Sequence, residues 1–411
     1  MLIITLLLLL FYLFNILLLE KKISICFLYC FLWSIVIFLS SLRLLNASLY
    51  SERVYVILLL GITFFLIGYL LFSKISFYKN SKIRELNSRN IIIFLSFNIF
   101  FYLIQAKKVI SLMLQGVSFS AIRYSYYTQG KIMSNIETII STWIVLPMIY
   151  FLIVPINLVN YQKNKKNKKI ILYLSLLNII LYLFVTQGKQ NLIYYIFSIF
   201  LFQFFHNRRN LKKIYKIIFI LLALILVLQK LRHDKMDISF IYTYIGTSLK
   251  LLDYWSYKID NFNFYSYGMG LFYGIINLLS QGLEMFKITM FTNKFNEVKE
   301  MYNYIISTGI EVFYKKGSIN NVYVTNQIFF YGDGRFLGII LDNFLYGSFI
   351  GASTVYYKKN KSLEGTMIFY NIIGVGVLYT FISWAFYNTS YCVSLIMLYF
   401  FITTKKIKKR E

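Results

Sequence analysis

The stretch MLIITLLLLLFYLFNILLLEKK, residues 1–22, is apolar for almost its whole length and ends in Glu20, Lys21 and Lys22. A run of about 20 apolar residues is long enough to cross the roughly 30 Å hydrocarbon core of a bilayer as an α-helix. The stretch has no basic segment before the apolar run and no small-residue cleavage motif. We therefore expect a first membrane helix rather than a cleaved signal peptide.

The same apolar character recurs along the whole chain of 411 residues, of which 58% are hydrophobic and 14% charged. A soluble domain of this length does not bury so much apolar surface. We assign eleven spans, at 2–19, 23–42, 54–72, 91–105, 136–160, 170–186, 191–205, 217–231, 336–357, 367–387 and 391–403. The sequence predicts an all-α, polytopic integral membrane protein of about 11 transmembrane helices.

Basic residues predict the orientation of these helices. The net charge is +27, and more than half of the 43 Lys and Arg lie in six short clusters, at 20–22, 74–90, 161–169, 206–216, 358–361 and 405–411. With eleven spans all six clusters fall on one side of the membrane, which the positive-inside rule makes the cytoplasm. We expect the N-terminus outside, the C-terminus in the cytoplasm, and no nucleic-acid partner for this charge.

One external loop is much longer than the others. We predict an N-terminal bundle of about eight helices at 1–231, a large extracytoplasmic loop at 232–335, and C-terminal helices with a basic tail at 336–411. Within the loop, 238–255 and 269–286 are semi-apolar and interrupted by Gly and polar residues, which favours helices lying along the membrane surface. If both crossed the bilayer, the orientation would be unchanged with two more spans. A loop this long with its own structure is usually functional.

Basic residues at the outer ends of the predicted spans are the first candidates for chemistry. Arg123, Lys189, Arg232 and Arg335 all lie there, against the orientation rule. Anchoring at the lipid headgroups is the commoner role of any single Lys or Arg. An anionic partner at the outer surface would explain all four, because Arg binds phosphate oxygens bidentately and Lys binds them as a point charge. Lipid diphosphates are such partners.

Candidate acids and bases lie beside these cations. His233 next to Asp234 suggests a general base, although adjacent residues on a helix point apart. Asp333, in a Gly-flanked turn, is a carboxylate that could orient a hydroxyl. Asp342 lies inside a predicted span, where an acid is costly and often functional. The segment GSFIG, residues 347–351, is a small-xxx-small pattern that predicts close helix packing.

The stretch NVYVTNQIFFYGDGRFLG, residues 321–338, joins the long loop to the ninth predicted span. Gly332, Gly334 and Gly338 predict a turn into a helix at 336, with Asp333 and Arg335 held at the outer surface. No nucleotide loop and no Cys or His cluster with ligand spacing is found in the sequence. We therefore predict no metal and no cofactor.

Three segments carry a resemblance to a known family. Residues 321–357, NVYVTNQIFFYGDGRFLGIILDNFLYGSFIGASTVYY, are similar to an N-x-Y-T … Y-x-D-x-G-x-x-G motif that leads into a late span. Residues 186–200, TQGKQNLIYYIFSIF, look like a short external turn in which Lys189 replaces a more usual Arg. Residues 116–127, GVSFSAIRYSYY, resemble an external segment with an Arg. Together they resemble the bacterial oligosaccharide repeat-unit polymerases of O-antigen and capsule synthesis, the Wzy type.

The resemblance implies a glycosyltransferase at the outer face of the bacterial inner membrane, in lipopolysaccharide or capsule biosynthesis. A growing glycan on undecaprenyl diphosphate would be the donor, and a single undecaprenyl-diphosphate-linked repeat unit the acceptor. For this reaction we predict catalytic roles for His233, Asp333 and Arg335. We predict substrate contacts for Arg123, Lys189, Arg232, Asn321, Tyr323 and Tyr331, of which those of Asn321 and Tyr323 rest on the resemblance alone. The implied partners are membrane lipid and the chain-length regulator and flippase of the same pathway.

Two alternatives stay open. An O-antigen ligase, which transfers the finished glycan to another acceptor, shares the external loop and the external cations. A flippase of lipid-linked oligosaccharides is less favoured, because such transporters usually have two similar halves and charges deep within many spans.

Overall fold

Over the residues that it describes, the computed structural model is mostly helical, as the sequence predicts. The described residues are 2–20, 24–44, 50–75, 82–118, 121–122, 133–186, 190–206, 242, 245–285, 290–308, 310–311, 319–320 and 324–406. The helices are α1 (Leu2–Glu20), α2 (Ile25–Ser41), α3 (Glu52–Phe72), α4 (Ser88–Leu114), α5 (Asn135–Gln162), α6 (Lys168–Thr186), α7 (Gln190–His206), α8 (Ser248–Asn261), α9 (Tyr273–Met285), α10 (Met290–Ser307), α11 (Asn326–Asn360), α12 (Glu364–Leu378) and α13 (Thr389–Phe400).

Four short strands complete the described elements: β1 (Lys82–Leu86), β2 (Ile310–Glu311), β3 (Ile319–Asn320) and β4 (Ile402–Lys406). β1 pairs with β4 in antiparallel register, with Leu86 opposite Ile402, and β2 pairs with β3. Neither pair is predicted from the sequence, because the strands are short and carry polar residues.

Five described helices, α3, α4, α5, α6 and α11, are long and apolar enough to cross a membrane. Shorter apolar helices occur in α1, α2, α7, α12 and α13. Ten of the eleven predicted spans therefore overlap an apolar helix, and the span predicted at 217–231 lies outside the described residues. The total of eleven spans and the side on which each terminus lies stay predictions.

The chain divides into two compact units. One comprises Met1–Phe77, Asp237–Lys359 and Gly376–Thr389, and the other comprises Tyr78–Met236, Asn360–Val375 and Ser390–Glu411. The first unit therefore unites α1 to α3 with the loop helices α8 to α10 and with α11. This grouping cuts across the predicted segments 1–231, 232–335 and 336–411.

Within the first unit, α3 and α11 pack closely through glycines. A Cβ atom on Gly347 would lie 2.0 Å from the carbonyl oxygen of Phe65, and one on Gly351 would lie 2.5 Å from that of Tyr69. The prediction of close packing at 347–351 is confirmed. Residue numbers rise together along both helices, so α3 and this part of α11 run parallel, in agreement with their places as the third and ninth predicted spans.

Within the second unit, α4 and α6 also run parallel. The Asn178 amide donates to the carbonyl of Leu95 over 3.0 Å. Further along, the rings of Tyr102 and Tyr182 meet edge to face with centroids 5.9 Å apart. These helices are the fourth and sixth predicted spans. Successive spans cross the membrane in alternating directions, so these two are expected to run the same way.

The helices of the predicted external loop are short and amphipathic. The apolar face of α8 is buried at Leu249, Leu252, Trp255 and Ile259, positions spaced three or four apart as on one helix face. α8 has 14 residues and α9 has 13, fewer than the roughly 20 that a spanning helix needs. The interpretation of 238–255 and 269–286 as surface helices stays a prediction, because residues 238–241, 243–244 and 286 lie outside the described part of the chain.

Candidate functional site

The centre of the candidate site is a break in α11. Gly334 (φ −174°, ψ 31°) and Arg335 (φ 58°, ψ −132°) are not helical, and they divide α11 into a short arm, 326–333, and a long arm, 336–360. The helix thus begins well before the predicted start at 336. The predicted turn from a loop into a span is instead a break between two helical arms.

The short arm folds back along the long arm. Gln327 and Asn343 exchange two hydrogen bonds between their side-chain amides, of 3.1 and 2.9 Å. In an unbroken helix residues 16 apart in sequence would be about 24 Å apart. A Cβ atom on Gly338 would lie 2.2 Å from the carbonyl oxygen of Phe330. Gly338 is therefore required for the close approach of the two arms rather than for a turn.

Arg335 joins the break to the end of α8. Its Nε lies 2.6 Å from Oδ1 of Asp260. Its terminal nitrogens donate to the carbonyl oxygens of Phe264, over 2.7 Å, and Ile259, over 3.0 Å. The guanidinium carbon lies 4.3 Å from the centre of the Tyr265 ring. Arg335 thus adds a second donor to the Ile259 carbonyl, which also accepts the backbone N–H of Phe264, and binds the Phe264 carbonyl just beyond α8.

The backbone of Arg335 is strained. A φ of 58° lies in the left-handed region, and a residue other than glycine held in such a conformation costs on the order of 1–3 kcal/mol. The contacts of its side chain offset this cost. Such residues cluster at binding and catalytic sites, where the surrounding structure holds them in place.

Arg53, in the first turn of α3, reaches the same carboxylate. Its Nη2 contacts both the carboxylate of Asp260 and the hydroxyl of Tyr331. The Tyr331 hydroxyl donates to both oxygens of Asp260, over 2.9 and 3.1 Å. We call Arg53, Asp260, Tyr331 and Arg335 the arginine cluster. Its core is one carboxylate shared by two guanidinium groups and a phenol.

The arginine cluster has the charge and the donors that an anion site needs. Two arginines and one aspartate leave it with a net positive charge, and α3 and the long arm both begin beside it, so their positive ends lie there. The side chains of Arg53, Asp260 and Arg335 are 27%, 32% and 16% exposed, so a solvent-borne group reaches them. Guanidinium groups bind phosphate and carboxylate oxygens bidentately. The arrangement can therefore hold a phosphate group and stabilise negative charge that develops on it.

Asp333, one residue before the break, binds groups of the segment that follows α8. Its Oδ1 accepts from the hydroxyl of Ser266 over 2.5 Å and from the backbone N–H of Gly270 over 2.8 Å. Its Oδ2 accepts from the backbone N–H of Leu271 over 2.8 Å. The side chain is buried. The hydroxyl that Asp333 orients here is that of Ser266, and the carboxylate fastens the segment after α8 to the short arm.

Tyr302, on α10, completes this attachment. Its hydroxyl donates to the carbonyl of Phe329 over 3.0 Å and lies 2.8 Å from the Ser266 hydroxyl. Burial raises the pKa of Tyr302 well above its ordinary value, so the phenol keeps its proton at neutral pH. A Cβ atom on Gly332 would lie 2.5 Å from this hydroxyl. Gly332 is therefore required for close contact with Tyr302 and not for a turn.

Asp342, on the long arm, is buried near Asp333, and its Oδ2 accepts no hydrogen bond from any described residue. In the described part of the chain no three His, Cys, Asp or Glu side chains come together to hold a metal ion. Asp333 and Asp342 lie close together in the buried packing around the break.

The attachment at Asp333 gives a testable prediction. Asp333→Asn replaces one acceptor oxygen by an NH2 group, so at least one buried N–H of Gly270 or Leu271 loses its acceptor. We expect the free energy of unfolding to fall by about 1–3 kcal/mol, measured as a lower melting temperature of the purified protein in detergent. Glu297→Gln, which removes an exposed ion pair with Lys294 on α10, should melt like the wild type. Equal melting of the Asp333 variant and the wild type would contradict this role.

The sequence hypotheses divide into two groups. Asp333, Arg335 and Tyr331 lie at the break. Tyr331 and Arg335 bind the carboxylate of Asp260, whereas Asp333 binds the segment after α8. The other predicted site residues lie outside the described part of the chain: Arg123, Lys189, Arg232, His233, Asn321 and Tyr323.

Arg53 and Asp260 are members of the cluster that the sequence analysis misses. Arg53 precedes the span predicted at 54–72 on the predicted outer side, so it has the same signal as Arg123 and Lys189, a basic residue at the outer end of a span. Asp260 gives no comparable signal, because it is an ordinary acid at the end of an amphipathic helix. Its pairing with Arg53 joins residues 207 positions apart.

Comparison of the chain with protein-family models, with curated proteins and with solved structures found no match. The chemistry of the site therefore follows from its own groups. These are two guanidinium groups, one carboxylate, one phenol and the N-terminal ends of two helices.

Proposed function

We propose that this protein is a membrane glycosyltransferase that polymerises undecaprenyl-diphosphate-linked oligosaccharide repeat units into O-antigen or capsular polysaccharide. The observation that carries the proposal is the arginine cluster, in which Arg53 and Arg335 converge on one place although they lie far apart in the sequence. Two converging guanidinium groups suit a diphosphate better than a single phosphate, because each group can take one phosphoryl unit.

The reaction needs this arrangement. A hydroxyl of the acceptor unit attacks the anomeric carbon of the donor glycan. The new C–O bond forms as the bond between that carbon and the diphosphate oxygen breaks, and the hydroxyl proton passes to the released diphosphate. Negative charge grows on the diphosphate in the transition state. Preorganised cations aimed at such charge are commonly the largest catalytic contribution in a site.

Aromatic side chains beside the cluster supply a surface for sugars. Tyr265 lies against Arg335, and its ring stacks on that of Tyr267 with centroids 5.8 Å apart. Tyr257 is 60% exposed and Tyr267 is 72% exposed. Exposed tyrosines offer an apolar face to a sugar ring and a hydroxyl to its polar edge. In the proposed reaction they hold the glycan next to the diphosphate.

The proposal includes a location and partners. The chain lies in the bacterial inner membrane, with its N-terminus and the arginine cluster outside and its C-terminus in the cytoplasm. Because α3 and the long arm run parallel, both begin on the same side, as this proposed topology requires. A chain-length regulator and a flippase of the same pathway act with the enzyme, and Arg123, Lys189, Arg232 and His233 stay candidates for further contacts with substrate.

The direct test uses the purified full-length protein in liposomes, with an undecaprenyl-diphosphate-linked repeat unit as the only substrate. We expect a ladder of longer lipid-linked glycans and release of undecaprenyl diphosphate. Transfer to a different lipid or protein acceptor without a ladder would identify a ligase. Movement of labelled lipid across the bilayer without elongation would identify a flippase, and either result would overturn the polymerase.

A further inference from the structure

Asp260 occupies the position in the arginine cluster that a substrate anion needs. Its carboxylate lies between the guanidinium groups of Arg53 and Arg335 and also accepts a hydrogen bond from the Tyr331 hydroxyl. A carboxylate and a phosphoryl group present the same pair of acceptor oxygens to a guanidinium group. The carboxylate and a phosphate group therefore cannot bind these donors at the same time.

The side chain of Asp260 is placed so that it can leave. It is 32% exposed, and it lies in the last turn of α8 rather than in the middle of the helix. Arg335 holds the same end of α8 through the carbonyls of Ile259 and Phe264. These two bonds do not involve the carboxylate, so α8 stays attached to α11 when the Asp260 side chain moves away.

We infer that Asp260 is an internal substitute for the substrate anion. A diphosphate displaces its carboxylate on binding, and the carboxylate returns when the diphosphate leaves. This inference rests on the proposed function only in taking the anion to be a diphosphate. The substitute keeps the two arginines together and partly neutralised while the site is empty. On product release its carboxylate competes for the same donors and lowers the affinity for the diphosphate. Asp260 thus favours turnover over tight product binding.

Removal of the Asp260 charge tests this competition. With the full-length protein in detergent, we expect Asp260→Asn to bind inorganic pyrophosphate at least about tenfold more tightly than the wild type, a gain of about 1.4 kcal/mol. Calorimetric titration measures the affinity. Asp260→Glu keeps a competing carboxylate and should bind like the wild type. Asp260→Ser provides a second neutral variant, and melting curves verify that each protein is folded.

Asp253→Asn is the matched control, because Asp253 lies on the same helix and its carboxylate binds Ser51 at the start of α3 instead of the arginines. We expect its affinity for pyrophosphate to equal that of the wild type. An unchanged or weaker affinity in both neutral Asp260 variants would contradict the role of Asp260 as an internal substitute for the substrate anion. Asp260 would then be a fixed part of the site. An equal gain in the Asp253 variant would also contradict the role as a substitute, by showing a general effect of charge.

Two further arms separate this inference from the proposed function. Farnesyl diphosphate, a short polyprenyl diphosphate, should bind at least as tightly as pyrophosphate and show the same gain in Asp260→Asn. Binding of pyrophosphate alone would exclude a lipid-linked source for the anion. If the liposomes form no ladder but both diphosphates bind more tightly to Asp260→Asn, the role of Asp260 as an internal anion is supported and the polymerase function is rejected.

Discussion

Arg53→Ala is expected to lower the yield of long-chain polysaccharide by about 100-fold or more, while single repeat units persist on their lipid. In the proposed reaction, the substitution removes one of the two guanidinium groups that stabilise the leaving diphosphate. Loss of one preorganised donor to a developing negative charge typically slows a reaction by about 10²–10³-fold. The measurement is a gel ladder of surface polysaccharide from a deletion strain that expresses each variant at matched levels.

Arg53 is a cleaner target than Arg335 for this experiment. Arg335 also holds the end of α8 through two backbone carbonyls, so its removal would disturb the fold together with the charge. Arg43→Ala is the matched control, because Arg43 is an exposed arginine in the segment before α3 and is not part of the cluster. We expect it to leave the ladder unchanged. A normal ladder with Arg53→Ala would show that this cation does not act on the leaving group.

The helices of this protein are predictable because their signal is local. The span predicted at 54–72 is a helix at Glu52–Phe72, and the span predicted at 170–186 is a helix at Lys168–Thr186. In both, an unbroken apolar run ends at polar residues, and no distant contact is needed to recognise it. The same holds for the glycines at 347–351, because small residues four apart lie on one helix face.

The site is only partly predictable, because its geometry depends on distant contacts. The residues before Gly334 are rich in polar groups, which favours a loop, yet Gln327 lies buried in the short arm and pairs with Asn343 on the long arm. A buried amide pair is favourable only once its partner is in place. Likewise, nothing near Asp260 in the sequence indicates that it meets Arg53. The local pattern selects Asp333 and Arg335 as notable residues but does not show that their side chains turn to different partners.

Gly347→Ala is expected to have the largest effect on the fold. The added methyl group would lie 2.0 Å from the carbonyl oxygen of Phe65, and a backbone atom cannot move aside as a flexible side chain does. The long arm must therefore shift away from α3. Overpacking of this kind typically costs about 1–3 kcal/mol, and we expect at least the upper value here. The measurements are the melting temperature in detergent and the yield of monodisperse protein on size exclusion.

This shift also reaches the site, because α3 carries Arg53 and the break before the long arm carries Arg335. The two guanidinium groups share one carboxylate, so a separation of the helices by about 1 Å weakens both contacts and reduces elongation beyond the loss of stability. Gly334→Ala is the matched control on the same helix, since a Cβ atom there meets no atom within 4 Å and its φ of −174° suits any residue. We expect it to melt and elongate like the wild type, although the sequence alone suggests that this glycine is needed for a turn. If Gly347→Ala melted like the wild type and Gly334→Ala did not, the close packing of α3 on α11 would be wrong, and with it the convergence of the two arginines.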